Sequence, residues 1–331
     1  MANADQIKAL IKSHLNNDGE RFVTVALQVA AAEAKQGHSA LARDIRRIVD
    51  ARPKQNVRVI SVSAELDDLV TQERTSGVSS SFVVRQDLEK KLSRIVKEHR
   101  QADKLKKFGL SNRRKILLSG PPGTGKTMTA AVLAEKTGLP FFVVQIDRLI
   151  TKYMGETAAK LRQIFALIRD QQGVYLFDEF DAIGTQRGLG NDVGEMRRIL
   201  NGLLQFIEQD ESDSLIVAAT NRIESLDTAL FRRFNDVLHY EIPELGEVEA
   251  LIKNRTGTFA GKYSASTVAN YALGLSHAEI TQACDDAIKD AILSDRKTVS
   301  KASLINMLAD CLLYTSPSPR DLSTSRMPSS A

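Results

Sequence analysis

Cysteine is scarce in this sequence: Cys284 and Cys311 are the only two in 331 residues. Two thiols make neither a disulfide framework nor a zinc site, and Cys284 falls where a small hydrophobe would pack on a helix. The five histidines show no HExxH or other ligand spacing, which argues against a fused zinc protease. An excess of one charge is also lacking. Lys and Arg total 45 against 41 Asp and Glu, leaving +4, too little to mark a nucleic-acid binder. No run approaches the roughly 18 apolar residues of a membrane span, and MANADQIKAL has no basic stretch leading into an apolar one. We therefore expect a cytoplasmic protein without membrane contact. What is there is ordinary for a soluble globular chain, 43% apolar and 26% charged residues, and the length allows two or three domains with a sizeable core.

Residues 1–50 carry apolar positions at helical spacing: Ile7, Leu10, Ile11, Leu15, then Phe22, Val25, Ala26, Val29, then Leu41, Ile45, Ile48. Breakers at Asn17 to Gly19 and Gly37 to Ser39 divide them into three helices, a small bundle that serves either packing and dimerisation or recruitment of targets. Residues 51–81 open with Arg-Pro-Lys-Gln-Asn and close with SGVSSS, the composition of a linker. Residues 85–108 place Leu88, Leu92, Ile95, Leu105 and Phe108 on one helical face. Short apolar runs then alternate with helical patterns: KILLSG, PFFVVQI, VYLFDEFD and SLIVAATN. That alternation predicts an α/β core over 82–240 with a parallel sheet wrapped by helices. Residues 241–310 return to helical periodicity, with Ile280, Ala283, Cys284, Ala287, Ile288 and Ala291 on one face, and form a helical lid.

The end of the chain, CLLYTSPSPRDLSTSRMPSSA over 311–331, interrupts a helical pattern and turns to serine and proline. CLLYTSPSPRD is the translation of a common transposase-based library adapter, and SRMPSSA that of a flow-cell primer. Two adapter matches in the right order point to a non-native segment, so no function is assigned to it.

The chemistry begins with GPPGTGKT, Gly120 to Thr127, between the strand KILLS and the helix TMTAAVLAEK, which fits GxxxxGK[ST] in its required context. Gly120, Pro121, Pro122, Gly123, Thr124 and Gly125 form a loop whose N–H groups approach phosphate oxygens at a helix N-terminus. Lys126 reaches the β- and γ-phosphates, Thr127 ligates Mg²⁺, and Met128 follows at the start of the helix. In VYLFDEFD, Asp178 emerges at the carboxyl end of a buried strand as the Mg²⁺-side carboxylate, and Glu179 orients or deprotonates water. SLIVAATN delivers Asn221, either to the attacking water or γ-phosphate or simply to a turn. LDTALFRRFND sets Arg232 beside Arg233, a surface pair or a source of charge for a neighbour's nucleotide.

Taken together, GPPGTGKT, DEFDAIGTQR, AATN and ALFRRF appear in the order of the AAA ATPases of the AAA+ superfamily, which residues 82–310 resemble. The resemblance implies a P-loop fold with a helical lid, hydrolysis of ATP with Mg²⁺, and a homo-oligomeric ring, commonly a hexamer. ATP would then lie at subunit boundaries, with Arg232 or Arg233 acting in trans. It also gives KYMGET, residues 152–157, a meaning: Tyr153, Met154 and Gly155 match the family's pore loop, which grips a polypeptide substrate. GLSHAEI resembles the lid segment that lies against nucleotide, bringing in Gly274 and His277. The layout is similar to katanin- and spastin-like remodellers, and the core to bacterial single-module ATPases encoded beside a subtilisin-like protease, which implies a protease partner. The expectation is an unfoldase that threads polypeptide. An ATP-dependent switch or assembly scaffold without threading is the alternative, and a nucleic-acid motor has less support.

Overall fold

The computed structural model describes residues 19–35, 38–50, 66, 68–149, 154–180, 192–223 and 231–315. The chain divides into two compact units, Met1–Ile60 and Ser61–Ala331.

In the first unit α1 (Gly19–Lys35) packs against α2 (Ser39–Asp50). Val25, Ala26, Val29 and Ala30 are buried, the one-faced spacing of an amphipathic helix. His38 terminates α1: its N–H donates to the Glu33 carbonyl at 3.0 Å, and its Nδ1 lies 2.6 Å from Glu33 Oε2. The helix expected over Ile7 to Leu15 lies outside the described residues.

The second unit runs β1 (Val70–Glu73), α3 (Gln86–Arg100), α4 (Ala102–Lys106), β2 (Lys115–Ser119), α5 (Lys126–Thr137), β3 (Phe141–Val144), α6 (Ile146–Leu149), α7 (Met154–Asp170), β4 (Val174–Phe177), α8 (Asp192–Gln209), β5 (Leu215–Thr220) and β6 (Asp236–His239). The strands form one sheet in the order β1-β3-β4-β5-β2-β6. All neighbours pair in parallel except β1, which runs antiparallel on β3. Residues of β2, β4 and β5 are buried throughout, as continuous apolar runs covered on both faces should be. Alternation sorts them. Leu117, Phe142, Tyr175, Phe177 and Ile216 meet Leu161, Ile164, Leu203 and Ile207 of α7 and α8. Ile116, Leu118, Phe141, Leu176 and Val217 meet Leu88, Leu92 and Ile95 of α3 and Leu133 of α5.

Two features depart from expectation. The stretch of linker composition over 51–81 supplies edge strand β1 and a 3-10 turn at Val78–Ser80: a four-residue strand shows too few alternations to stand out among polar neighbours. Phe108 is 75% exposed, because the chain breaks at Gln101 between α3 and α4 and the helical face does not continue.

The lid comprises α9 (Leu245–Thr256), α10 (Ser266–Ala269), α11 (His277–Leu293) and α12 (Lys301–Thr315). Its core joins Val248 and Ile252 to Ile280, Ala283, Cys284, Ala287 and Ala291 and to Leu304 and Leu308. Cys284 is fully buried, and burial pushes its thiol up to about 12, the inert behaviour of a packing residue. Helix α12 runs on through Thr315, with Cys311 and Leu312 against the lid core. The apolar run CLLYT therefore prolongs a helix instead of breaking it, as adding one residue to an existing helix is far easier than starting one. No helix among the described residues is long and apolar enough to cross a membrane.

Candidate functional site

Parallel strands deliver their carboxyl ends to one edge of the sheet. There β2 leads into the loop Gly120–Gly125, β4 into Asp178 and Glu179, and β5 into Asn221. The loop is held by its own sequence. Gly120 N donates to Thr220 O at 3.3 Å, and a Cβ on Gly120 would stand 2.2 Å from Tyr240 O. Only glycine permits that approach. Thr124, wholly buried, donates to Pro121 O at 2.8 Å and closes the loop from within. Lys126 Nζ donates to the carbonyls of Gly120 and Pro121, each at 2.7 Å, so the ammonium lies over the loop that its helix follows. Behind the loop, Thr129 Oγ1 donates to Gly125 O at 2.9 Å and meets the buried Tyr240 hydroxyl at 2.7 Å.

Thr127 and Asp178 come together: Thr127 Oγ1 donates to Asp178 Oδ2 at 2.6 Å. The other carboxylate oxygen accepts from Glu179 N at 2.8 Å. Glu179 has φ +51, a left-handed conformation that costs a non-glycine residue free energy and is found at functional positions. It is fixed from both sides, because Phe180 N donates to Ala219 O at 2.9 Å. The exposed Glu179 carboxylate is thereby presented at the cleft mouth. Hard oxygen donors from one hydroxyl and one carboxylate suit Mg²⁺, which takes few protein ligands and completes its shell with phosphate and water.

The lid closes the site by backbone contact. Ser276 caps α11 in a reciprocal box with Glu279, its Oγ accepting from Glu279 N at 3.3 Å and its N donating to Glu279 Oε2 at 2.6 Å. Ala278 N then donates to Gly123 O at 3.0 Å. Gly123 has φ +73, and a Cβ there would meet Ser276 Oγ at 2.6 Å, so the glycine admits the lid. Gly274 does not line the cleft; its φ of +93 turns the chain into α11.

The result is a cleft of about 560 Å³ between core and lid. Pro122, Gly123, Gly125, Lys126, Thr127 and Met128 line one end, joined by Asp178, Glu179 and Asn221. Gly120, Pro121 and Thr124 shape the loop from behind. The lining also includes Phe82, Val83, Leu251, His277 and the bidentate pair of Arg255 with Asp285. His277 is legible in the sequence, whereas Phe82, Val83, Leu251 and Tyr240 are not. Phe82 and Val83 follow directly on SGVSSS, whose composition masked them, whereas the apolar FVV after a serine run was a usable signal. His277 is largely buried with neither ring nitrogen hydrogen-bonded, and Glu247 Oε1 lies 3.9 Å from Nε2. Burial lowers its pKa to about 4, so the ring is neutral at pH 7.

Arg232 and Arg233 stand outside this cleft. Arg232 is exposed, and Arg233 Nε lies 3.1 Å from Glu208 Oε2. Their segment is fastened to β2 by Asn235, whose Oδ1 accepts from Arg114 N and Lys115 N at 3.1 and 2.9 Å. Tyr153 lies outside the described residues. Met154 and Gly155, expected in a loop, begin α7.

Comparison with known proteins agrees with the geometry. The model of the ATPase family associated with various cellular activities (AAA) matches residues 116–242. An uncharacterized AAA family ATPase, y4kL, of Sinorhizobium fredii is 34% identical over 317 residues, covering 94% of this chain and 96% of that protein. A proteasome-activating nucleotidase of Methanoregula boonei is 33% identical over 223 residues, 65% of this chain and 51% of the relative. An ATP-dependent zinc metalloprotease, FtsH 3, of Sphaerobacter thermophilus is 29% identical over 245 residues, 72% of this chain and 50% of the relative. The chain thus spans about half the length of these two longer relatives. With a phosphate loop, an acidic strand end and a lid in one cleft, and with a relative matched along almost its whole length, the chain belongs to the AAA family of ATPases and hydrolyses ATP.

Proposed function

We propose that this ATPase is a cytoplasmic, ring-forming protein remodeller, a hexamer, that uses ATP to thread polypeptide through a central pore. The carrying observation is the position of Arg232 and Arg233 outside their own chain's cleft, on a segment fastened to β2 by Asn235. An arginine held there suits the nucleotide of a neighbouring copy, where it would stabilise phosphoryl-transfer charge. The relatives named for proteasome activation and proteolysis support a protein substrate and a protease partner.

Lys126 exchanges the Gly120 and Pro121 carbonyls for phosphate oxygens. Thr127 and Asp178 would hold Mg²⁺, which would supply positive charge against the phosphates when bound. Glu179 orients water and takes its proton, and Asn221 holds the same water or the γ-phosphate. Tyr153, with Met154 and Gly155 at the start of α7, grips substrate, an aromatic side chain accepting varied sequences.

Light scattering on the Glu179→Gln protein with ATP and Mg²⁺ tests the ring. A six-subunit mass supports it, and a monomer or dimer overturns it. Tyr153→Ala then tests threading: it should keep basal hydrolysis and lose unfolding of a model substrate, and normal unfolding would remove the pore assignment.

A further inference from the structure

Part of the cleft wall is a short strap, and its attachment lies on the helix that follows the phosphate loop. Gly77 takes φ +80 and starts the 3-10 turn Val78–Ser80. From there the chain continues into Ser81, Phe82 and Val83, all lining the cleft. Val78, Phe82 and Val84 pack on the core beside α3 and α5, whereas Val83 packs on the lid. The strap therefore touches both the core and the lid that enclose the cleft.

Three donors of this strap converge on one carboxylate. Glu135, in the last turn of α5, accepts from Gly77 N at 3.1 Å, Ser79 N at 2.7 Å and Ser79 Oγ at 2.5 Å. The far end of the strap is fixed by Arg85, whose guanidinium bonds Glu241 and Asp87. Helix α5 begins at Lys126 and Thr127, in the phosphate half of the cleft. Nine residues separate Lys126 from Glu135, about 14 Å of helix rise. One rigid element thus carries the phosphate grip at its first turn and the strap's clasp at its last.

We propose that Glu135 is a positioning residue that sets the affinity of the cleft for the nucleoside part of ATP, by clasping the strap Gly77–Val83 without touching the ligand. The clasp requires a carboxylate. Two of the three groups facing it, Gly77 N and Ser79 N, are backbone N–H groups on different carboxylate oxygens and can only donate, so an amide in its place would turn an N–H toward one of them and leave that donor unsatisfied. The hydrogen bond from Ser79 Oγ, chiefly, holds the Glu135 carboxyl below its ordinary range, so it is ionised at neutral pH. This inference rests on the ATPase activity and is independent of ring formation or threading.

The test separates nucleoside from phosphate. Steady-state hydrolysis is measured for wild type, Glu135→Gln and Ser79→Ala, and inorganic tripolyphosphate is titrated as a competitive inhibitor of each. Glu135→Gln should raise KM for ATP about tenfold, the worth of roughly one lost charge-assisted hydrogen bond, with kcat within about twofold. Its inhibition constant for tripolyphosphate should stay at the wild-type value, because Lys126 and Thr127 are unaltered. Ser79→Ala removes one donor and should give a smaller rise in KM, with the same constancy toward tripolyphosphate. An unchanged KM in Glu135→Gln, or a parallel loss of ATP and tripolyphosphate, would overturn the proposal. Should Glu135→Gln fail to fold, Ser79→Ala decides by the same two constants.

Discussion

Acid should loosen this protein through one imidazole. Burial holds His277 at a pKa of about 4, against an ordinary 6.5, and its side chain is only 11% exposed, so solvent screens little of the effect. As pH falls through 6.5 the unfolded chain takes up a proton on this ring, whereas the folded lid does so only near 4. The unfolded state therefore binds more protons in that window, and stability falls with falling pH. The interval from 6.5 to 4 is worth about 3 kcal/mol in full, of which about 2 kcal/mol is lost by pH 5. His277→Phe keeps a ring in the site and removes the titration. Urea unfolding of both proteins without nucleotide, between pH 7.5 and 5, isolates the term, since the other groups titrate in both. The stability difference should move by about 2 kcal/mol in favour of His277→Phe as pH drops. Parallel pH profiles would refute the reasoning. A shift in favour of wild type would refute it differently, by showing that Glu247, 3.9 Å away, pairs with a charged ring strongly enough to offset burial.

Other substitutions should separate binding, chemistry and support. Lys126→Ala should abolish nucleotide binding in a fluorescent-nucleotide titration, and retained micromolar affinity would remove Lys126 from the phosphate grip. Glu179→Gln should bind ATP while hydrolysis falls at least about a hundredfold, the scale of a lost general base; a smaller loss would mean that another group activates water. Gly120→Ala would drive a Cβ to 2.2 Å from Tyr240 O and should eliminate nucleotide binding while far-UV circular dichroism stays near wild type. Tyr240→Phe removes one buried hydrogen bond to Thr129 and should cost about 1 kcal/mol in urea unfolding, with hydrolysis largely kept because Thr129 still bonds Gly125 O.

The sequence by itself determined the strands that carry the chemistry. KILLS, VYLF and LIVAAT are apolar runs long enough to be buried on both faces, and each is followed directly by candidate site residues: the phosphate loop, Asp178 and Glu179, and Asn221. It determined the lid face as well, because Ile280, Ala283, Cys284 and Ala287 repeat at helical spacing and are all fully buried. What it misjudged lay where local pattern was short or polar. Strand β1 has four residues, Phe108 sits beyond a helix break, and SGVSSS looked like flexible chain. Only the tertiary structure decided that Glu135, more than fifty residues from Ser79, gathers that polar stretch into the wall of the cleft. It alone brought Gly123 against Ser276 and Tyr240 against Thr129. Period and composition record which face of an element is buried, whereas a hydrogen bond between distant polar residues depends on where the packed elements meet, which no local spacing encodes.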